Sequence, residues 1–441
     1  MGAESSKKVV RAQKEYFTPE ERQSVLANGQ KLAGSSGNIT VPSMEKHISK
    51  YYGPEIAARF VKVLIRGKTP TPTFLSCPML VDSLGPLVKG TVEQHLYLTV
   101  TLAGGDQAGV DSDNIVKYLE MVLGVYLRVI LGGAGCRGWA SGGSGDKSIG
   151  QVCRAVLHDL LHAGATFKET WGKPPPKAQF SYEAFERWYL GHSLFTSLEA
   201  EVVGGCFSVS TAGPTNLLPQ PSLTPKSFPN LLSAAQVLFL NSSLPTALQS
   251  EWRFIFSTAT HGWSFSIFMK QIVGKGPTLL IIQDQSGNKF GGFAPVSWAV
   301  KPQFQGTPDS FLFALEPQVG IFHSTGFNNN FMYLNYLEKN TMPNGLGMGG
   351  REELFGLWLD YDFGKGSVAP TCTTFRSPQF SPNQEIEVKA VEVWALGPED
   401  EDSDDEEGKR SALDKNPEAS AMLEMMGKGR VSDGYREEDK E

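Results

Sequence analysis

A chain of 441 residues with 40% hydrophobic and 20% charged residues is long enough for two or three domains with real cores, and too apolar to stay unfolded. No apolar run reaches the ~18 to 20 residues of a spanning helix, so a soluble protein is expected. The formal charge of −7 sits in one place: residues 399–407 read EDEDSDDEE with eight acids, and without them 39 acids face 40 bases, a net +1.

At the start of the chain, Met1-Gly2-Ala3-Glu4-Ser5-Ser6 fits the pattern for N-myristoylation on Gly2. One acyl chain holds a membrane only marginally, and Lys7, Lys8, Arg11 and Lys14 supply a basic cluster as the second signal. The five cysteines, Cys77, Cys136, Cys153, Cys206 and Cys372, are odd in number, lie far apart and follow no secretory signal. Free thiols in a reducing, cytosolic-side compartment are the expectation.

Thr18-Pro19-Glu20-Glu21 is a capping box that opens a helix to about Ala33. Gly34-Ser35-Ser36-Gly37, an extended Asn38 to Val41 and a helix from about Met44 to Tyr52 follow, in the outline of an EF-hand. With Gly37 at the sixth loop position, Leu32, Gly34, Ser36 and Ser43 occupy the first, third, fifth and twelfth. Calcium needs carboxylates there, so the unit reads as degenerate and metal-free. Helices are expected from Pro54 to Arg66, from Cys77 to about Ala103, from about 151 to 163 and from Tyr182 to Leu194. The most regular helical periodicity runs from Ile115 to Leu131, with Asp113 as its N-cap. Five prolines in 212–230 predict an extended linker.

Beyond Leu231 two helices, about 233–240 and 245–256, precede short segments rich in aromatic and β-branched residues. Strands are expected at Thr278–Gln283, Lys289–Val300, Phe311–Leu315, Val319–His323, Phe331–Leu334, Leu354–Tyr361 and Ile386–Leu396. With no helices between most of them, this predicts an antiparallel sandwich.

The motifs with catalytic overtones are weak in context. Gly133 to Gly138 and Gly345 to Gly350 both match GxGxxG, but neither lies between a strand and a helix start, so each reads as a loop with special backbone or packing needs. His158 and His162 have zincin spacing, but Asp159 stands where the catalytic Glu would, and no third ligand is evident. Gly191-His192-Ser193 lacks the closing glycine of a nucleophile elbow. Asp360 and Asp362 share a strand face but need no acid/base role, and His261 reads as a buried or capping histidine. No catalytic residue, metal or cofactor is assigned, and no nucleic-acid partner is expected.

From Phe239-Leu240-Asn241 onward, an ordered series of segments resembles the TLDc domain. It includes Trp252-Arg253-Phe254, His261-Gly262, Gly276-Pro277-Thr278, Phe290-Gly291-Gly292-Phe293, Trp298, Asn344 to Gly350, Leu357-Trp358-Leu359-Asp360, Gly364-Lys365-Gly366, Cys372-Thr373-Thr374 and Val391-Glu392-Val393-Trp394. The resemblance implies a two-sheet β-sandwich with flanking helices and no established catalytic centre. It also implies links to the V-type proton ATPase and to protection against oxidative stress. Together with the N-terminus and the degenerate EF-hand-like half, it resembles the member type tied to mTOR signalling at the lysosome.

After the acidic run, Asn416-Pro417-Glu418 opens a short helix that stops near Gly427, with Ala419, Met422, Leu423 and Met426 in one apolar stripe. Too short to be stable alone, it needs a partner or its own fold to cover the stripe. Ser403, followed by four acids, is a candidate for phosphorylation by an acid-directed kinase.

The expected class is α+β. Its parts are a basic, myristoylation-like N-terminus (1–17), a helical EF-hand-like region (18–211), a Pro-rich linker (212–230), a TLDc domain (231–397), and an acidic tether with a C-terminal helix (398–441). The expected function is a non-enzymatic, lipid-anchored adaptor on the cytosolic face of the lysosomal membrane. Its expected partners are membrane lipids, the V-type proton ATPase and mTOR signalling components. Two alternatives are kept: a redox-protective protein using a thiol, for which Cys372 is the one cysteine in the TLDc half, and a cytosolic TLDc protein without an anchor.

Overall fold

The computed structural model describes residues 16–66, 72–131, 139, 147–209, 217–222, 231–336, 342–351 and 354–398. The helical half begins with α1 (Pro19–Ala33), β1 (Asn38–Thr40), α2 (Val41–Tyr52), α3 (Pro54–Leu64), β2 (Phe74–Ser76), α4 (Cys77–Lys89) and α5 (Val92–Leu102). It continues with β3 (Val110–Asp111), α6 (Ser112–Leu131), α7 (Lys147–Val156), α8 (His158–Leu161), α9 (Phe167–Thr170), β4 (Gln179–Phe180), α10 (Tyr182–Gly191) and α11 (Ser193–Cys206).

Side-chain caps set many of these boundaries. Thr18, Thr40, Ser76, Thr91 and Ser181 each accept a hydrogen bond from an N–H of the first turn, satisfying donors the helix cannot. Thr91 and Gln94 form a capping box, which is why the helical text from Cys77 to Ala103 divides into α4 and α5. Asp113 is not the cap of α6. The Asp111 carboxylate accepts from the N–H groups of Asp113 (2.9 Å) and Asn114 (3.3 Å), so the helix opens earlier. The helices expected over 151–163 and 182–194 are each broken too, at Leu157 and at His192.

Two helix–strand–helix units meet where β1 pairs antiparallel with β2, Asn38 opposite Ser76 and Thr40 opposite Phe74. In the first unit Ser43 Oγ donates to the Leu32 carbonyl at 3.2 Å, so the loop's expected first and twelfth positions are joined by a hydroxyl. A second pairing of the same kind sets β3 against β4.

The sheet half contains β5 (Gln220–Pro221), α12 (Ala234–Ser242), β6 (Glu251–Ser257), α13 (Thr258–His261), α14 (Phe265–Ile272), β7 (Thr278–Asp284), β8 (Lys289–Ala294), β9 (Lys301–Gln305), β10 (Phe311–Glu316) and β11 (Gly320–His323). It closes with β12 (Met332–Asn335), β13 (Gly345–Arg351), β14 (Leu354–Asp360), β15 (Lys365–Ser367) and β16 (Glu385–Leu396). Of the stretch expected as a helix over 245–256, residues 251–256 belong to β6, where Trp252 and Phe254 pack on the helical core and, past a register shift opposite Val393 and Trp394, Phe256 packs between the layers. Within the expected linker, Gln220 and Pro221 pair in parallel with Glu251 and Trp252.

Apart from the parallel β5–β6 pair the strands pair antiparallel, and β16 takes part in three ladders, with β15, β7 and β6. Its first residues pair with β15, Glu385 opposite Ser367. After a shift of register between Val388 and Ala390, the rest lies between β7 and β6. The sheet is thereby folded into two layers, one running β11-β10-β8-β7-β16-β6 and the other β16-β15-β14-β13-β12-β9. Between them Leu280, Ile282, Phe290 and Leu312 share a core with Leu334, Leu346, Met348 and Leu357. The outer face of the first layer, with Leu279, Ile281, Phe293, Phe313 and Trp394, joins the core of the helices. A layer covered on both faces explains why β7 and β10 read as continuous apolar runs.

Gly291 and Gly292 make the close approach possible. A Cβ at Gly291 would lie 1.9 Å from the Leu280 carbonyl oxygen, and one at Gly292 would lie 2.3 Å from Met348 Sδ across the layers.

Candidate functional site

Several residues expected to act lie outside the described residues. These are Gly2, Lys7, Lys8, Arg11 and Lys14 at one end, and Ser403, Ala419, Met422, Leu423 and Met426 at the other. The structure shows how the body is held where each terminal segment leaves it. At the N-terminal side Lys89 bonds both carboxylate oxygens of Glu21 at 2.6 Å, tying α1 to α4. At the C-terminal side Gly397 donates to the Glu251 carbonyl at 3.0 Å, and its own carbonyl accepts from Arg253 Nε at 3.1 Å.

Packing accounts for the motifs with catalytic overtones. His158 is buried and stacked on Phe167 with ring centres 3.8 Å apart, and its Nε2 lies 2.9 Å from Thr170 Oγ1. His162 is tilted 5.1 Å away, and among the described residues no group of three ligand-type side chains converges. His192 donates from Nδ1 to the Trp188 carbonyl at 2.7 Å and stacks on that indole, bracing the junction of α10 and α11. His261 ends α13, where its Nδ1 accepts from the Ser257 N–H at 3.1 Å. Asp360 and Asp362 build successive turns, Asp360 accepting from the Asp362 N–H and Asp362 from those of Gly364 and Lys365.

The segment Gly133 to Gly138 is outside the described residues, whereas nearby Trp139 is buried against Trp252 and Trp394. The second GxGxxG is β13 itself and not a loop. Gly349 and Gly350 have φ of 73° and 84°, a backbone that side chains disfavour, and a Cβ on Gly349 would come within 2.7 Å of Cys372 Sγ. Cys372 is buried beneath this strand, and that burial pushes the thiol's pKa up, away from the nucleophilic thiolate.

Three carboxyls are buried among the described residues: Asp284, which accepts from the Asn288 N–H at 2.8 Å and from Asn288 Nδ2 at 2.7 Å, and two to which sequence reasoning assigned no role. Glu199 on α11 accepts from Tyr118 Oη at 2.5 Å, Thr99 Oγ1 at 2.6 Å and Tyr189 Oη at 3.2 Å, joining four helices. Glu392 on β16 accepts from Trp394 Nε1 at 2.6 Å and the Leu231 N–H at 3.0 Å. Lys289 lies beside it and donates to the Leu231 carbonyl. Burial raises both carboxyl pKa values to about 7. Both are buried and hydrogen-bonded by neighbouring side chains or backbone, so both read as structural.

The surface of the TLDc half offers two features. An open cleft of 590 Å³ is bordered by Asp360, Glu385 and Glu387, with Trp358 and Lys365 at its wall. Trp358 is therefore half-exposed, unlike Trp298 and Trp394, which are buried. Elsewhere Trp263, Ile267, Phe327 and Tyr361 are exposed aromatic or aliphatic side chains. No local signal in the sequence separates these positions from core residues of the same type.

Comparison with known proteins agrees with this architecture. A family model described as the TLDc domain matches residues 226–397. The mouse protein named mTOR-associated protein MEAK7 is 33% identical over 441 residues, covering 96% of this chain and 95% of its own. Its human counterpart is 32% identical over 416 residues, 91% of this chain and 90% of its own. Oxidation resistance protein 1 of Xenopus laevis is 33% identical over 169 residues, 38% of this chain and 19% of its own. With similarity spanning the helical half as well as the sheets, the chain belongs to the TLDc family, in the group formed by the mTOR-associated MEAK7 proteins.

Proposed function

We propose that the chain is a non-enzymatic adaptor tied to mTOR signalling. In this reading it is anchored by an acylated Gly2 and its basic neighbours to the cytosolic face of the lysosomal membrane, and engages the V-type proton ATPase through its TLDc half. The observation that carries the mTOR association is similarity over nearly the whole chain to relatives named for it, helical half included. The adaptor reading is favoured over a thiol enzyme by Cys372, whose sulfur is buried and whose thiol is held protonated. The membrane and ATPase parts rest on the N-terminal motif and the family resemblance.

The test is affinity purification from membranes with mass spectrometry, comparing the full chain, Gly2→Ala and a chain lacking residues 408–441. The reading expects ATPase subunits and mTOR components with the full chain, and loss of membrane fractionation in Gly2→Ala. Unchanged fractionation would remove the lipid anchor and leave a cytosolic TLDc protein. The similarity to Oxidation resistance protein 1 supports a second reading in oxidative-stress protection. Peroxide consumption at a catalytic rate that Cys372→Ala abolishes would replace the adaptor with it.

A further inference from the structure

The segment between α13 and α14 leaves an apolar surface uncovered. Trp263 is 51% exposed, and Ile267, in the first turn of α14, is 40% exposed. Trp263 rests edge-on against Phe363 at 6.0 Å, and Phe363 is itself buried against Phe265 and Phe268, so the surface has a firm floor. One turn beyond Ile267, Lys270 is exposed, and Lys275 follows just past the helix end. The patch is thus aromatic and aliphatic with a cationic border.

One segment of the same chain has the complementary chemistry. Residues 399–407 carry eight acids, and beyond them Ala419, Met422, Leu423 and Met426 fall in one helical stripe. The described body ends at Pro398, beside Glu251 at the start of β6. From there β6 runs toward α13, spanning ~20 Å. The 17 residues from 399 to 415 can extend at most ~60 Å, so the stripe reaches Trp263 with the acids placed near Lys270.

We propose that residues 416–427 dock in cis on the Trp263–Ile267 surface of the TLDc half, steered by attraction between the acidic run and Lys270 and Lys275. The tail is then a built-in competitor for this surface, and a partner must displace one to use the other. The contact is intramolecular and stands or falls independently of which partner the adaptor engages.

The test uses a fluorescently labelled peptide of residues 399–430 as probe, followed by anisotropy, on the full chain carrying Met422→Asp and Leu423→Asp. Saturable binding to that chain is expected, falling ~10-fold or more with Ile267→Glu or Trp263→Ala, and weakening as salt rises. The unsubstituted chain should bind the peptide ~10-fold or more weakly, because its tethered stripe competes at high effective concentration. Equal melting temperatures for the exposed-site variants serve as the folding control. Three results would overturn the proposal: no binding to the Asp-substituted chain, binding unchanged by both Ile267→Glu and Trp263→Ala, or equal binding to the unsubstituted chain. An Ile267→Glu-sensitive dimer in sedimentation would assign the surface to a second copy's tail and exclude docking in cis.

Discussion

The two halves of this molecule bury comparable chemistry by different means. In the helical half a single carboxyl, Glu199, gathers hydroxyls from α5, α6 and α10, so side chains far apart in sequence fix how helices with their own internal hydrogen bonds sit together. In the sheet half Glu392 fastens Leu231, at the entrance to the TLDc domain, to a strand whose place the backbone ladder already sets. Helices tolerate small shifts and need a polar register. Sheets two layers deep tolerate almost none, and glycine is what lets them close.

The comparison is broken most severely by adding one methyl group in the sheets. Gly291→Ala places a Cβ against the Leu280 carbonyl and is expected to cost more than ~3 kcal/mol, read as loss of the folded chain or a large drop in urea midpoint. If Gly291→Ala melts like the parent, the account of β8 closely packed against its neighbours β7 and β10 is wrong.

Next comes pH. Glu199 and Glu392 carry folded pKa values near 7, raised above the ordinary carboxylate value of 4.5. The folded state binds their protons more tightly than the unfolded chain does. Their contribution is therefore fully present below about pH 4.5 and is lost as pH rises through 7, about 3 kcal/mol for each. Glu199→Gln should flatten that decline. Denaturation of parent and variant at pH 5 and pH 8 checks it, and parallel curves would mean that the hydroxyls around Glu199 keep it ionised in the fold.

Smaller still is the capping box at the first helix. Thr18→Ala removes the acceptor for the Glu21 N–H and should cost about 1 kcal/mol by thermal denaturation. The smallest effect has the opposite sign. Gly124 lies inside α6 with open space around its Cα, so Gly124→Ala should stabilise by ~0.5 to 1 kcal/mol. The same substitution at 291 and 124 then distinguishes steric closure from helix propensity within one chain.

Legibility followed the range of the forces. Thr18, Pro19 and Glu21 announce α1 because a cap is decided within four residues. Asp113 was misplaced as the cap of α6 because Asp111, two residues earlier, offers the same carboxylate with the better reach. Strand β6 was hidden because Trp252, Phe254, Ile255 and Phe256 form a short apolar run without strict alternation, which suits a buried helix and a strand alike. Strand β13 was hidden because Gly345, Gly347, Gly349 and Gly350 suggest a loop to any local rule, while the crowding that demands them comes from Phe355, Trp358 and Cys372. The TLDc half could still be identified, since the order of its turns and aromatic residues is itself a long-range record.

The sequence alone determined the charge polarity, the caps, the apolar periodicity of the long helices and the family, because composition, local hydrogen bonding and the order of motifs are properties of the linear chain. Tertiary structure alone decided that β16 serves two layers, that Glu199 and Glu392 are buried, that Cys372 is shielded and that Trp263 and Ile267 face outward. Burial is a relation between segments far apart in the chain, and no window of neighbouring residues contains it.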